Sequence, residues 1–135
     1  MQSLPNSEPG YQKFTTRFND LPSKNPVTIA EYIWIGGTGM DLRSKTMCIH
    51  RKCTQLSDFP EWNFDGSSTL QAATENSEVV LRPVFFCNDP FRYSPAENDT
   101  AVLVLCETFL NDFKTPAKGN FRYLARQVFE SDAVK

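Results

Sequence analysis

The sequence predicts an α+β domain, in which a strand hairpin, two later strands and a closing helix pack in layers. Three observations predict it. Residues 27–35 are rich in β-branched and aromatic side chains, residues 101–109 form the most apolar run of the chain, and residues 120–132 repeat apolar side chains at helical spacing. No internal repeat or low-complexity tract interrupts this order. One folded core is therefore expected.

The hairpin is predicted where the first strand meets a cluster of glycines. Residues 27–35 run into Gly-Gly-Thr-Gly at 36–39, and a second strand is predicted over 42–49. Glycine permits positive φ and hence a tight reversal. A phosphate-binding loop would need a Gly-Lys-Ser/Thr ending and a following helix, and neither pattern is present. The glycines therefore favour a hairpin turn.

The middle of the chain predicts loops that separate two strands. Residues 60–74 are loop-like around an Asp-Gly pair, and residues 88–100 are rich in turn formers. Residues 78–87 predict a strand in which Pro83 indicates an edge position or a bulge. Residues 101–109 predict a strand buried on both faces near the centre of the sheet.

Two amphipathic segments predict helices at the ends of the chain. The closing helix follows Asn120, a suitable N-cap, and its apolar positions are Phe121, Leu124, Ala125, Val128 and Phe129. A short N-terminal docking helix is predicted before Pro22, with apolar positions Tyr11, Phe14, Phe18 and Leu21. Since short isolated helices are marginal in water, both need a surface to rest on.

Charge and hydropathy argue against several classes of function. The 14 basic and 16 acidic residues give a net charge of -2 without a basic stripe, which argues against nucleic-acid binding. No run of 18 apolar residues is present, and the polar start lacks a secretory apolar region. A cytoplasmic protein is expected. The Lys, Arg, Ser and Thr content of residues 11–25 leaves a plastid or mitochondrion as the alternative.

The four cysteines form no Cys-x-x-Cys pair, so free buried thiols are expected. Cys48, His50 and Cys53 lie close in sequence, but a fourth ligand is missing nearby and two cations lie between them. An independent metal-thiol protein is therefore a weak alternative. His50, the only histidine, is expected at the surface beside a strand end.

Residues 61–69 carry the side chains most suited to chemistry. They combine the Asp65 carboxylate, the hydroxyls of Ser67 and Ser68, and an aromatic wall from Trp62 and Phe64. Spacing by itself fits an ordinary Asp-Gly turn, in which the aspartate caps its own backbone and serines follow.

Three separated blocks give this loop a second interpretation. They are EYIWIGGTGMDLRSK at 31–45, PEWNFDGSST at 60–69 and DPFR at 89–92. Together they resemble the amino-terminal domain of eukaryotic, plant-like glutamine synthetases. The resemblance spans about residues 30–126, with the blocks in the family's order.

This resemblance implies a fold and a division of the chain. It implies a β-grasp-like mixed sheet over residues 27–115, a tail and docking helix over 1–26, and, over 116–135, a linker and the first helix of a catalytic domain. The family joins ammonia to glutamate using ATP and Mg or Mn, through a γ-glutamyl phosphate, at sites between neighbouring subunits. No cofactor is expected in this chain itself.

The resemblance also implies roles for three side chains. Asp65 and Ser68 match the residues that the amino-terminal domain sends into a neighbour's ammonium site, and Trp62 is expected as a wall of that pocket. A carboxylate suits this task because ammonium has four donors, no lone pair, and must lose a proton before its nitrogen attacks. The chain is expected to be inactive alone, with synthetase subunits or further copies as partners. The alternative is a non-catalytic interaction or structural module of a larger assembly.

Overall fold

The computed structural model describes residues 26–92 and 100–131. In these ranges five strands form a single mixed sheet of order β2-β1-β5-β4-β3, and one α-helix follows it. The elements are β1 (Thr28–Ile35), β2 (Leu42–Ile49), β3 (Trp62–Asp65), β4 (Glu78–Asn88), β5 (Thr100–Leu110) and α1 (Phe121–Glu130). This confirms the α+β prediction, with a curled sheet consistent with a β-grasp-like domain. The predicted N-terminal helix lies outside the described residues, and the three-part division of the chain stays a prediction.

The predicted hairpin is confirmed. β1 and β2 pair antiparallel, from Thr28 opposite Ile49 to Ile35 opposite Leu42. The turn is closed by the Gly36 amide, which donates to the Asp41 carbonyl at 2.9 Å. Of the three turn glycines only Gly39 has a positive φ, of 79°. At Gly36 and Gly37 glycine instead provides space, since an added Cβ would collide with the Asp41 carboxylate and with the Thr69 carbonyl oxygen respectively.

The central position of β5 is also confirmed, since it lies parallel to β1 and antiparallel to β4. Burial on both faces holds only for its second half, residues 106–109, which are all buried. Earlier in the strand Val102 and Val104 are buried, whereas Leu103 and Leu105 on the other face are half-buried. That outer face is less covered because α1 crosses only the end of the strand near Phe109, where Tyr123 packs edge-on at 5.6 Å.

Pro83 produces the predicted irregularity in β4. The register with β5 shifts between Pro83 and Phe85, which is a bulge. On the opposite side β4 pairs with β3 only over residues 78–81. Pro83 therefore lies where no third strand needs its missing N–H.

The prediction of a loop throughout residues 60–74 is wrong at its start. Trp62–Asp65 is a strand that pairs antiparallel with β4, from Trp62 opposite Leu81 to Asp65 opposite Glu78. Its alternation is clear only in three dimensions, with Trp62 and Phe64 half-buried and Asn63 exposed. Four residues beside an Asp-Gly turn are too few for a period of two to stand out in sequence.

The core lies on one face of the sheet and is rich in aromatic rings. The chain between β2 and β3 covers this face: Phe59 packs on Phe86 at 4.9 Å, and the Tyr32 hydroxyl donates to the Pro60 carbonyl at 2.8 Å. Trp34 packs against Phe64 at 4.5 Å. These contacts hold β3, and with it the start of the Asp-Gly loop, against the central strands.

Helix α1 is fixed at its start and open along one side. Asn120 is the N-cap as predicted, because its Oδ1 accepts from the Tyr123 amide at 3.2 Å. The buried Glu107 carboxylate lies 3.6 Å from Arg122 and 3.5 Å from Arg126. One side of the helix carries an exposed apolar stripe, formed by Phe121, Leu124, Val128 and Phe129.

None of the helices in the described ranges combines the length and apolar character that crossing a membrane requires.

Leu70 provides a test of local strain. Its φ is 61° and its side chain is 64% exposed, so the left-handed backbone carries a cost that little burial offsets. We expect Leu70→Gly to raise the free energy of unfolding by about 0.5–1 kcal/mol, after glycine's extra chain entropy is subtracted. Urea unfolding measures it. Leu42→Gly is the control, since Leu42 is 73% exposed within β2 and should instead lose stability.

Candidate functional site

The Asp-Gly loop begins where β3 ends. The Gly66 amide donates to the Ser77 carbonyl at 2.6 Å, and the Gly66 carbonyl accepts from the Gln71 amide at 2.9 Å. A Cβ at position 66 would lie 2.4 Å from the Val79 side chain, so only glycine fits there. We call residues 65–71 the Asp65 loop.

Asp65 is exposed and held by the residue two positions on. Its Oδ1 accepts from the Ser67 hydroxyl at 2.6 Å and from the Ser67 amide at 2.9 Å. The Ser67 hydroxyl, followed by the Ser67 amide, lowers the pKa of Asp65 below its ordinary value. The carboxylate is therefore ionised at neutral pH and oriented at the surface.

Ser68 has a different contact. Its hydroxyl donates to the Asp65 carbonyl at 3.1 Å, so it supports the main chain of the turn. The predicted role of Ser68 in an ammonium site stays a prediction. The predicted site residues do not include Ser67, although a hydroxyl two residues after an aspartate is a known signal of a side-chain turn.

Trp62 and Asp65 lie on opposite faces of β3. Residues three apart in a strand point to opposite sides, and Trp62 turns inward to meet Tyr32 edge-on at 5.5 Å. A cation already covers its ring, because the Lys45 ammonium lies 3.4 Å from the ring centroid and donates to the Asn63 carbonyl at 2.8 Å. Burial lowers the pKa of Lys45. A role for Trp62 as a pocket wall stays a prediction.

The surface beside Asp65 is an open groove of about 400 Å³. Its lining comprises Lys45, Asn63, Phe64, Asp65, Ser77 and Glu78. Asp65 and Glu78 are opposite each other in the β3–β4 pair, so two carboxylates and one ammonium share this groove. The arrangement favours a small cation over an anion at the Asp65 end.

The part of the chain that the structure describes contains no cluster of side chains suited to a metal ion. Within it, no three His, Cys, Asp or Glu side chains converge. Cys48 and His50 are exposed, whereas Cys53 is buried. Two of the four thiols, Cys48 and Cys87, are thus exposed rather than buried as expected. No chemical step through a metal is assigned to these residues.

Comparison with known proteins identifies the relatives of the chain. It is 44% identical over 120 residues to the chloroplastic glutamine synthetase leaf isozyme of Hordeum vulgare, covering 89% of this chain and 25% of that protein. This chain is homologous to the amino-terminal region of glutamine synthetases. No family model matches it.

Two further relatives are also glutamine synthetases. Glutamine synthetase root isozyme 4 of Zea mays is 46% identical over 106 residues, 78% of this chain and 28% of the relative. Glutamine synthetase of Macaca fascicularis is 44% identical over 113 residues, 84% of this chain and 29% of the relative. The resemblance inferred from the motifs is confirmed. The chain spans about a quarter of the length of the glutamine synthetases that it matches.

The two serines of the Asp65 loop can be separated by titration. We expect Ser67→Ala to raise the pKa of Asp65 towards its ordinary value, because the carboxylate loses the hydroxyl that stabilises its charge. Ser68→Ala, the matched control, should leave that pKa unchanged because its hydroxyl contacts the main chain. NMR titration of the Asp65 carboxyl carbon measures both.

The lowered pKa of Asp65 also makes the stability of the fold depend on pH. An aspartate whose folded pKa is lowered stabilises the fold above its unfolded pKa, and this contribution is lost as pH falls through the folded value. Ser67→Ala should therefore reduce stability at neutral pH more than at low pH. An equal effect of the two alanine substitutions on the Asp65 titration would contradict the assignment.

Proposed function

We propose that this chain acts as the amino-terminal part of a glutamine synthetase and supplies the Asp65 loop to the ammonium site of a neighbouring subunit. The observation that carries the proposal is the Asp65 carboxylate, which is exposed, ionised and oriented by Ser67. The names of the relatives support the same reaction class.

The proposed chemistry of Asp65 is that of a cation anchor and proton acceptor. Its carboxylate attracts ammonium and takes one N–H hydrogen bond, and transfer of that proton leaves a lone pair on nitrogen. The lone pair then attacks the acyl carbon of γ-glutamyl phosphate, the bond from that carbon to the phosphate oxygen breaks and phosphate leaves. Loss of one further proton from the nitrogen gives the amide of glutamine. The hydroxyl of Ser68, exposed in the same loop, is the proposed second acceptor for the ion.

The remaining chemistry is proposed to come from the neighbouring subunit. Phosphoryl transfer depends on positioning and charge neutralisation by metal ions, and the described residues offer no such donor set. We therefore propose that ATP, Mg or Mn, and glutamate are held by the partner, and that this chain alone forms no glutamine. The proposed compartment is the cytoplasm or a plastid, since the relatives include chloroplastic and cytosolic isozymes.

A mixed assembly tests the proposal. The chain is co-expressed with maize root isozyme 4 in which the residue aligned with Asp65 is changed to asparagine, and tagged complexes are assayed for ATP-dependent glutamine formation. We expect this chain to restore activity, and Asp65→Asn to reduce the restored rate by roughly a hundredfold, as the loss of a proton acceptor does.

Glu75→Gln is the matched control, since it also replaces an exposed carboxylate by an amide but lies outside the groove. It should leave the restored rate unchanged. Restoration by the Asp65→Asn chain at the wild-type level would contradict the role of Asp65, as would glutamine formation by this chain in isolation.

A second candidate function is a non-catalytic interaction module, and the open side of α1 favours it. Phe121, Leu124 and Val128 are 57%, 55% and 59% exposed, and they lie one turn apart on one face. An apolar stripe of this kind on a folded domain marks a contact surface. In this function the chain binds synthetase subunits but contributes no side chain to their chemistry.

Substitution on the stripe tests this second function. We expect Val128→Glu to reduce co-purification with the maize subunit at least tenfold without lowering the unfolding midpoint, because an exposed apolar contact is replaced by a charge. Gln127→Glu, exposed on the same helix but off the stripe, should have no effect. If the complex forms and Asp65→Asn changes nothing, the module function replaces the catalytic one.

A further inference from the structure

Gln71 lies at a junction of three chain segments. The residue is 3% exposed, and its side-chain Nε2 donates to the Ile35 carbonyl and to the Lys118 carbonyl, both at 3.2 Å. The first carbonyl ends β1, and the second lies in the segment that leads to α1. Gln71 itself closes the Asp65 loop.

Glycines bring the three backbones into contact there. The Gly37 amide donates to the Thr69 carbonyl at 3.1 Å, and a Cβ at position 37 would lie 2.4 Å from that oxygen. A Cβ at Gly119 would lie 2.5 Å from the Gly36 carbonyl oxygen. No side chain could separate these segments without moving one of them.

The amide of Gln71 has only one workable orientation. Both neighbouring acceptors are carbonyls, so both need N–H donors, which only the Nε2 end supplies. Its Oε1 is buried and has no hydrogen-bond partner among the described residues. Glutamine at this position thus carries the cost of an unsatisfied acceptor, which an apolar side chain would avoid.

The contacts of Gln71 lead directly to Asp65. The main-chain N–H of Gln71 donates to the Gly66 carbonyl at 2.9 Å and fixes the turn at Gly66. The next residue in that turn, Ser67, holds the Asp65 carboxylate. We propose that Gln71 is a positioning residue that orients Asp65 for ammonium by anchoring the Asp65 loop to β1 and to the segment before α1. This inference rests on the proposed function for its link to ammonium.

Gln71→Glu tests the proposal with an isosteric change. A carboxylate facing two carbonyls is repelled, so the loop should loosen at neutral pH and tighten again once the new carboxyl is protonated. The new carboxyl has a folded pKa above its unfolded value, so the stability of this variant should be retained at low pH and lost as pH rises. Because that carboxyl is protonated where Asp65 titrates, the pKa of Asp65 is read from Gln71→Met, which removes both hydrogen bonds without adding a charge and should raise this pKa towards the ordinary aspartate range.

The second readout is glutamine formation in the mixed assembly described above. We expect the KM for ammonium to rise roughly ten- to hundredfold in both variants, as misplacement of a binding group does, with no change in the KM for ATP. Gln127→Glu is the control for the same chemical change at an exposed position.

Each outcome decides the proposal. A folded Gln71→Met variant with a wild-type Asp65 titration would overturn it, and so would unfolding of both variants, because Gln71 would then be structural only. A shifted Asp65 titration in Gln71→Met with an unchanged KM for ammonium would also overturn it. If the wild-type assembly forms no glutamine while Gln71→Met still shifts the Asp65 titration, the positioning holds and the proposed function fails.

Discussion

Direct backbone contact between three segments is the constraint on which the rest of this structure depends. The end of β1, the Asp65 loop and the approach to α1 meet at Gly37, Gln71 and Gly119, with carbonyl oxygens pointing into the contact. A buried carbonyl without a donor costs about 1–3 kcal/mol, so bringing two together requires a shared donor. The side-chain amide of Gln71 is that donor. Through it the hairpin, the site loop and the helix are placed relative to one another.

The position of α1 has a second determinant on the outer face of the sheet. The Glu107 carboxylate is buried on β5, and no hydrogen bond reaches its oxygens among the described residues. Its compensation is the pair of guanidinium groups of Arg122 and Arg126, and removing either would leave a buried charge less well paired. Because these two arginines must face the sheet, the opposite side of the helix, including Val128, is turned outward.

Elements whose stability is local could be predicted from the sequence. Both strands of the hairpin, the central strand, the irregularity at Pro83 and the Asn120 cap are encoded by period, by backbone chemistry or by a single side chain. β3 was missed because four residues carry too little periodicity, and its identity comes from pairing with β4. Burial on both faces of β5 was overestimated because an apolar run does not reveal how far a helix extends over it.

The site was predictable only in part for the same reason. Asp65 follows from the motif, but its contact with Ser67 is seen only in the structure, and the predicted role of Ser68 stays a prediction. Trp62 and Asp65 lie close in sequence, but strand alternation sends their side chains to opposite faces of β3, so the role of Trp62 as a pocket wall stays a prediction. Gln71 could not have been found, since the carbonyls it binds lie 36 and 47 residues away and carry no side-chain signature.

The groove beside Asp65 is open to solvent, so the attraction between its carboxylate and a cation depends on how much water surrounds the pair. At 4 Å an ammonium ion and a carboxylate attract by about 1 kcal/mol in bulk water but by about 4 kcal/mol near a partly dehydrated surface. In the proposed function, the exposed Asp65 carboxylate would therefore attract ammonium weakly until a second surface excludes water. The junction at Gln71 links the Asp65 loop to the segment that leads into α1. In the proposed function, a partner seated on the exposed stripe of α1 would thus meet the Asp65 carboxylate at a fixed distance, and exclusion of water there would strengthen the attraction between that carboxylate and ammonium.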